Sequence, residues 1–200
     1  MDLPRFRSRP RSLGSVLILV RHVRAGSLAL AEAEDLLAHF DLEVDVYLPA
    51  LHEAKAAGRI RYVGVTVQAA SQYGDLERAM RSNELDFIQV NDSLAEREAA
   101  ERILPLARDR GVAVVINEPF NGGTLFGAVR GHELPPWAAD FDCNSWARFF
   151  LKYIVSHLAV TVTVPATADP EHLVDNMGAG VGRLPDEAAR SRMEAFIDGL

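Results

Sequence analysis

The sequence predicts an α/β protein built on a parallel sheet, and three observations carry that prediction. Short apolar, β-branched runs recur at 60–66, 86–90, 112–116 and 160–164. Each is separated from the next by a stretch rich in helix formers. Short apolar strands separated by helices imply a parallel sheet with both faces covered. A 200-residue chain that is 48% hydrophobic and 24% charged suits one globular domain with a good core.

The N-terminal stretch stands apart. Residues 1–24 carry six arginines (Arg5, Arg7, Arg9, Arg11, Arg21, Arg24) against a single acid, Asp2, and form a basic, divergent segment. Within it the apolar run 15–20 closes at Arg21-His22. That is short beside the roughly 7–15 residues of a signal-peptide core. It reads as a buried strand behind a basic tail, or as a start codon placed upstream of unrelated coding sequence. From Ser27, a capping residue, Leu28, Leu30, Leu36 and Leu37 interleave with Ala and Glu in a helical pattern up to His39.

The remaining elements follow in order. Residues 47–57 form a helix stopped by Gly58, with Pro49 tolerable only in its first turn. A strand at 60–66, a helix at 71–81, a strand at 86–90, a helix at 95–110 ended by Gly111, and a strand at 112–116 come next. The stretch 117–143 is too long for a simple connection and is a candidate binding loop. A helix at 144–157, a strand at 160–164 and helices near 170–178 and 185–198 close the chain. No G-x-G-x-x-G follows any strand, which disfavours a doubly wound dinucleotide fold and favours a (β/α) barrel. A complete barrel takes about 250 residues and eight strands. The prediction is therefore a partial (β/α)8 TIM barrel of about four to five parallel strands with flanking helices, occupying residues 25–200.

Composition narrows the function. Twenty-one basic and 28 acidic residues give a net charge of −7, against a nucleic-acid partner. Cys143 is the only cysteine, so neither a disulfide nor a Cys-rich zinc module is expected. It has no cationic neighbour in sequence and reads as an inert thiol. His132 and His157 lack partners at metal-ligand spacing, so no metal is expected. No apolar run approaches the roughly 20 residues of a membrane span, and the expected location is the cytoplasm. Glu96, Arg97, Glu98, Glu101 and Arg102 read as a solvated helix face with close ion pairs. Trp137, Trp146, Phe141, Phe149 and Phe150 read as packing over the outer layer, with a ligand pocket as the other reading.

An ordered series of motifs then appears. Gly58-Arg59-Ile60-Arg61-Tyr62-Val63-Gly64-Val65-Thr66 resembles the "GKIRYIGVS" strand of aldo-keto reductases, and Leu85-Asp86-Phe87-Ile88-Gln89-Val90-Asn91 with Ser93 resembles the next strand. Leu104-Pro105-Leu106-Ala107, Pro119-Phe120 and Gly122-Gly123-Thr124-Leu125-Phe126 continue it. Val164-Pro165-Ala166-Thr167 with Pro170, His172, Asp175 and Asn176 resembles the last strand and cofactor helix. The resemblance covers about 35–198, and it implies the C-terminal half of an NAD(P)H-dependent oxidoreductase barrel acting on an aldehyde or ketone.

By that resemblance, Thr66 and Gln89 meet the nicotinamide carboxamide, which needs one donor and one acceptor. The loop of Pro119, Phe120, Gly122, Gly123 and Leu125 lies along the pyrophosphate. Thr167, His172 and the start of the 170–178 helix serve the adenosine phosphate, and Asp175 and Asn176 the adenine edge. Each has a plainer reading as a buried amide, a turn or a helix decoration. The cofactor is NADP by resemblance, or NAD, since Ala168, Asp169 and Glu171 offer no cation to a 2′-phosphate. Val67 and Asp92 depart from the family, the latter standing where an aromatic stacks.

The family's proton donor is a Tyr tuned by an Asp, a Lys and a His. Asp35-Leu36-Leu37-Ala38-His39-Phe40 resembles the strand carrying the His, shortened by one residue, so His39 is the candidate catalytic residue. The shortening would reverse its face if the segment is a strand. The other three positions have no match, because Lys55, Lys152 and the tyrosines Tyr47, Tyr62, Tyr73 and Tyr153 fall at structural positions. The expectation is thus a reductase relative that is weak or inactive alone. The alternatives are a non-catalytic nucleotide-binding or interaction half-barrel, and a gene fragment without independent function. An open barrel edge would favour self-association.

Overall fold

The computed structural model describes residues 19–20, 36–39 and 44–200. Its sheet runs in the spatial order β1-β6-β5-β4-β3-β2. The strands are β1 (Leu19–Val20), β2 (Leu36–His39), β3 (Val63–Thr66), β4 (Phe87–Asn91), β5 (Ala113–Asn117) and β6 (Val162–Thr163). From β2 to β6 every neighbouring pair is parallel. Helix α1 (Val44–Ala56) links β2 to β3, α2 (Tyr73–Ser82) links β3 to β4, and α3 (Glu98–Arg110) links β4 to β5. The β5–β6 crossover contains α4 (Thr124–Ala128) and α5 (Trp146–Val155); α6 (Pro170–Gly178) and α7 (Glu187–Asp198) follow β6. This is the open, parallel strand–helix alternation of a partial barrel.

Several expectations change. Residues 36–39 are a strand paired in parallel with β3, not the end of a helix. Leu-Leu-Ala favours a helix locally, and pairing with β3 overrides that preference. The rest of the predicted 27–39 helix, and residues 1–18, lie outside the described residues. Within the 15–20 run, Leu19–Val20 pairs with β6, but antiparallel. The 117–143 stretch contains 3-10 turns at Asn121–Gly123 and Pro136–Phe141 as well as α4. Because α1 starts at Val44, Pro49 falls in its second turn. The charges of 96–102 pair across elements rather than along their own helix: Arg97 with Asp198 and Glu194, and Arg102 with Glu77 at 2.8 Å.

The two sheet faces differ. Ile88, Val90, Val114 and Ile116 are completely buried, in one core with Leu76 and Met80 of α2, Ile103 and Leu104 of α3, and Phe149 and Ile154 of α5. Burying each such side chain contributes about 1.5–3 kcal/mol. Phe87, Gln89, Val115 and Asn117 alternate with them and are only half-buried. A half-buried ion pair ties the starts of the strands. Both Asp86 carboxylate oxygens lie 2.6 Å from Lys55 Nζ, and Oδ2 also accepts from the Val63 amide at 2.7 Å. One side chain thereby joins α1 to the start of β3 and β4. Gly111 ends α3 in the left-handed region (φ +68°), and the chain enters β5 two residues later.

Candidate functional site

Parallel barrels place their chemistry at the carboxyl ends of the strands, and the register aligns the candidates there. His39 pairs with Thr66, Thr66 with Gln89, Gln89 with Val115, and Val115 with Val162, forming one row across five strands. Thr66 is buried and Gln89 half-buried in that row. Two positions farther along β4 and β5, Asn91 pairs with Asn117. The Oδ1 atoms of both are buried without a hydrogen-bond partner, while Asn91 Nδ2 donates to Gln68 O at 2.8 Å. Neither asparagine stood out as a site residue from the sequence.

A second group converges on a cavity of about 360 Å³ between the ends of β5 and β6 and the helices α5 and α6. Phe120, Thr167, His172, Asp175 and Asn176 all line it, five of the residues expected to hold a cofactor. Phe126, Ser145, Trp146, Ala147 and Ala166 complete the wall. Its aromatic side is a contiguous set of rings: Phe120 and Phe126 have ring centroids 4.9 Å apart, Phe126 meets Phe150 edge-on at 5.4 Å, and Trp146 stacks on Phe150 at 5.8 Å. Trp146 therefore joins the cavity wall, whereas Trp137 packs against Phe141 and Phe149 at the edge of the core. An aromatic wall with a few polar groups suits a flat ring that carries hydrogen-bonding edges.

Helix α6 forms the polar side because its start is strongly specified. Asp169 caps it by accepting from the Glu171 amide at 2.8 Å, and Pro170 occupies the first turn. His172 is exposed, and its Nδ1 lies 4.0 Å from Asp169 Oδ2. Asp175 was expected at a ligand edge, yet its Oδ1 accepts from Arg148 Nε at 2.8 Å. Asn176 is buried. Arg148 and Trp146 come from α5, about 30 residues earlier in the chain; the packing of α5 on α6 reveals Arg148 and selects the pocket reading of Trp146.

The remaining cofactor candidates form the loop after β5. Pro119 and Leu125 are buried and anchor it, while Gly122 and Gly123 are exposed. Glu118, Asn121, Gly122 and Gly123 have φ of +52°, +49°, +61° and +89°. Gly122 N donates to Glu118 Oε2 at 2.9 Å. These four anchor and glycine residues flank the cavity rather than line it.

Asp92 is completely buried, with both carboxylate oxygens unpaired. Burial pushes its pKa up to about 7, against the pull of Arg190, and Glu194 and Glu96 push the same way. Those neighbours belong to α7 and the approach to α3, so Asp92 lies under the helices and not where a flat ring would stack. Val67 is likewise buried in the core.

Neither Tyr73 nor Tyr153 resembles a proton donor. Burial raises the Tyr73 and Tyr153 phenols above the ordinary value, opposite to what donation near neutrality needs. Tyr73 donates to Asn91 O and Tyr153 to Glu194. Lys55 is held by Asp86, and Lys152 is fully buried, donating to Val181 O and Arg183 O at 2.8 Å each. Among the described residues no group of three or more His, Cys, Asp or Glu could hold a metal ion. Burial raises the Cys143 thiol to about 12.

The chain is 32% identical over 85 residues to the NADH-specific methylglyoxal reductase of Escherichia coli (strain K12), covering 42% of this chain and 25% of that protein. It is 28% identical over 157 residues to pyridoxal 4-dehydrogenase of Microbacterium luteolum, covering 69% and 45%. It thus spans less than half the length of either. Among solved structures, an aldo/keto reductase from Klebsiella pneumoniae in complex with NADP and acetate superposes with a TM-score of 0.66 at 19% identity, over 82% of this chain and 58% of that one. The holo form of an aldo-keto reductase from Bacillus halodurans gives 0.64 at 18%, over 80% and 59%. These structural likenesses show the fold. The family model of the aldo/keto reductases matches residues 36–196, and the chain belongs to that family.

Proposed function

We propose that this chain binds a nicotinamide dinucleotide, NADP or NAD, along the carboxyl ends of β3 to β6 for reduction of a small aldehyde or ketone. The observation that carries the reading is the cavity where Phe120, Thr167, His172, Asp175 and Asn176 meet. Phe120, Phe126 and Trp146 offer faces for a purine, and Thr167 and Asn176 offer hydrogen bonds. Thr66 and Gln89, neighbours in register, supply the donor and acceptor that a carboxamide needs. When bound, the dinucleotide supplies hydride. The chain's residues bind and orient it, and His39, in the same row as Thr66, is the candidate to contact the carbonyl. Exposed acids at Asp169 and Glu171 disfavour a 2′-phosphate, so NADH is expected to bind at least as tightly as NADPH. Titration of the full chain with each reduced cofactor, followed by nicotinamide fluorescence, tests this. Binding below about 1 mM that weakens several-fold in Phe120→Ala supports it, and unchanged fluorescence for both cofactors at millimolar concentration refutes it.

A second reading, nucleotide binding without catalysis by this chain alone, is favoured by the engagement of Lys55 and Lys152 and the raised phenols of Tyr73 and Tyr153. Losing a general acid costs about 10²–10⁴-fold in rate. Cofactor-dependent reduction of an aromatic aldehyde, abolished by His39→Ala, would overturn that second reading.

A further inference from the structure

The loop between β5 and α4 satisfies its own amides, but not all in the same way. Asn121 N donates to Glu118 O, Gly123 N to Phe120 O, and Thr124 N to Asn121 O, all backbone partners. Gly122 N instead donates to a side chain, Glu118 Oε2, at 2.9 Å. Glu118 is exposed and reaches across from a left-handed backbone (φ +52°), a region that costs a non-glycine residue energy. A run of left-handed residues whose amide points at a negative oxygen is the arrangement by which loops capture anions. Here the anion belongs to the chain. Further acids lie close by: the Glu96 carboxyl is raised by burial first, then by the charges of Glu98 and Glu118.

We propose that Glu118 is a specificity-determining residue, a built-in anion whose carboxylate holds the Gly122 amide so that a pyrophosphate engages this loop only by displacing it. The inference rests on the dinucleotide reading above. Among the amides of residues 121–124, Gly122's is the one whose partner can swing away without unmaking a turn. A dinucleotide must therefore expel a like charge before it gains the amide. A neutral nucleoside in the adjoining cavity meets no such competition. Glu118 thus sets how much the phosphates add to affinity.

The test uses the full chain and two variants. Glu118→Gln removes the charge and keeps an acceptor for Gly122; Glu118→Gly removes the side chain and relaxes a left-handed position. NADH is titrated by fluorescence, and ADP-ribose and adenosine by calorimetry. Both variants should bind NADH and ADP-ribose about tenfold more tightly, with adenosine unchanged within about twofold. If one variant fails to fold, as judged by circular dichroism, the other carries the comparison. Wild-type binding of NADH with no tightening in the folded variants overturns the role of Glu118 and leaves the dinucleotide reading intact. Equal tightening of adenosine also overturns it, because a rearranged loop, not a removed anion, would then be responsible. Failure of every form to bind NADH or ADP-ribose at millimolar concentration removes the dinucleotide reading and this inference together.

Discussion

Arg148 Nε lies 2.8 Å from Asp175 Oδ1 and 3.3 Å from the Asp175 carbonyl oxygen, so one guanidinium grips both the side chain and the backbone of α6. The same guanidinium fills the space above Gly178, where a Cβ would come within 2.4–2.5 Å of it. The glycine is needed for this close approach, not for its backbone angles. Since the atom in the way is the end of a flexible side chain, Gly178→Ala can be accommodated only by moving Arg148 off Asp175. Each of Gly178→Ala and Arg148→Ala should cost about 1 kcal/mol. The alanine at 178 should cost little once Arg148 is gone. A double-mutant cycle by urea unfolding measures that non-additivity, and simple addition of the two costs would show that the contact is not what couples them.

Asp92 should make stability depend on pH. Its folded pKa of about 7 exceeds the ordinary value of 3.8. Between those values the unfolded chain has lost the proton and the folded chain keeps it. Folding then takes up a proton, and stability falls as pH rises through the window, levelling above about 7. Asp92→Asn removes this penalty. The variant should match the wild type near pH 4 and exceed it by on the order of 2 kcal/mol at pH 8. Unfolding curves at pH 4, 6 and 8 check this; a variant weaker than wild type at pH 8 would mean that ionised Asp92 is instead supported by Arg190.

Gly64 of β3 pairs with Phe87 of β4. A Cβ there would stand 2.6 Å from the Phe87 ring and 2.7 Å from the Phe87 carbonyl oxygen. The ring can turn, but the carbonyl belongs to the paired strand and cannot. Gly64→Ala should cost about 3 kcal/mol through overpacking, and adding Phe87→Leu should recover only the ring's share. Denaturant midpoints of the single and double variants distinguish the two contributions.

The strands at 63–66, 87–91 and 113–117 were visible in the sequence because short apolar runs separated by helices, two of them followed by Gly58 and Gly111, leave little alternative. Strand β6 shrank to Val162–Thr163, just ahead of the Pro165 that limits any longer run. Strand β2 was open to misreading because Leu36-Leu37-Ala38 favours a helix locally, and only the partner strand overrides it. The site divides along the same line. Thr167, His172 and Asn176 were singled out by resemblance to the family's last strand and helix, and they meet at one cavity. Arg148 and the burial of Asp92 could not, because each owes its setting to a helix packed against it from a distant part of the chain, whereas Trp146 was legible as a pocket residue only beside the reading of outer-layer packing. Glu118 was hidden differently: its carboxylate acts four residues away, through a backbone bend that no side-chain pattern announces.

The antiparallel pairing of Leu19 and Val20 with Val162 and Thr163 gives the sheet a direction of growth. Hydrogen-bonding groups on the outer margin of β6 are engaged by a strand of opposite polarity. A newcomer running with the other strands would have to peel β1 away before docking there. Beside β2 it meets no such obstacle among the described residues. Any parallel extension of this sheet is therefore expected to begin next to β2, at the margin where the row through His39 and Thr66 ends.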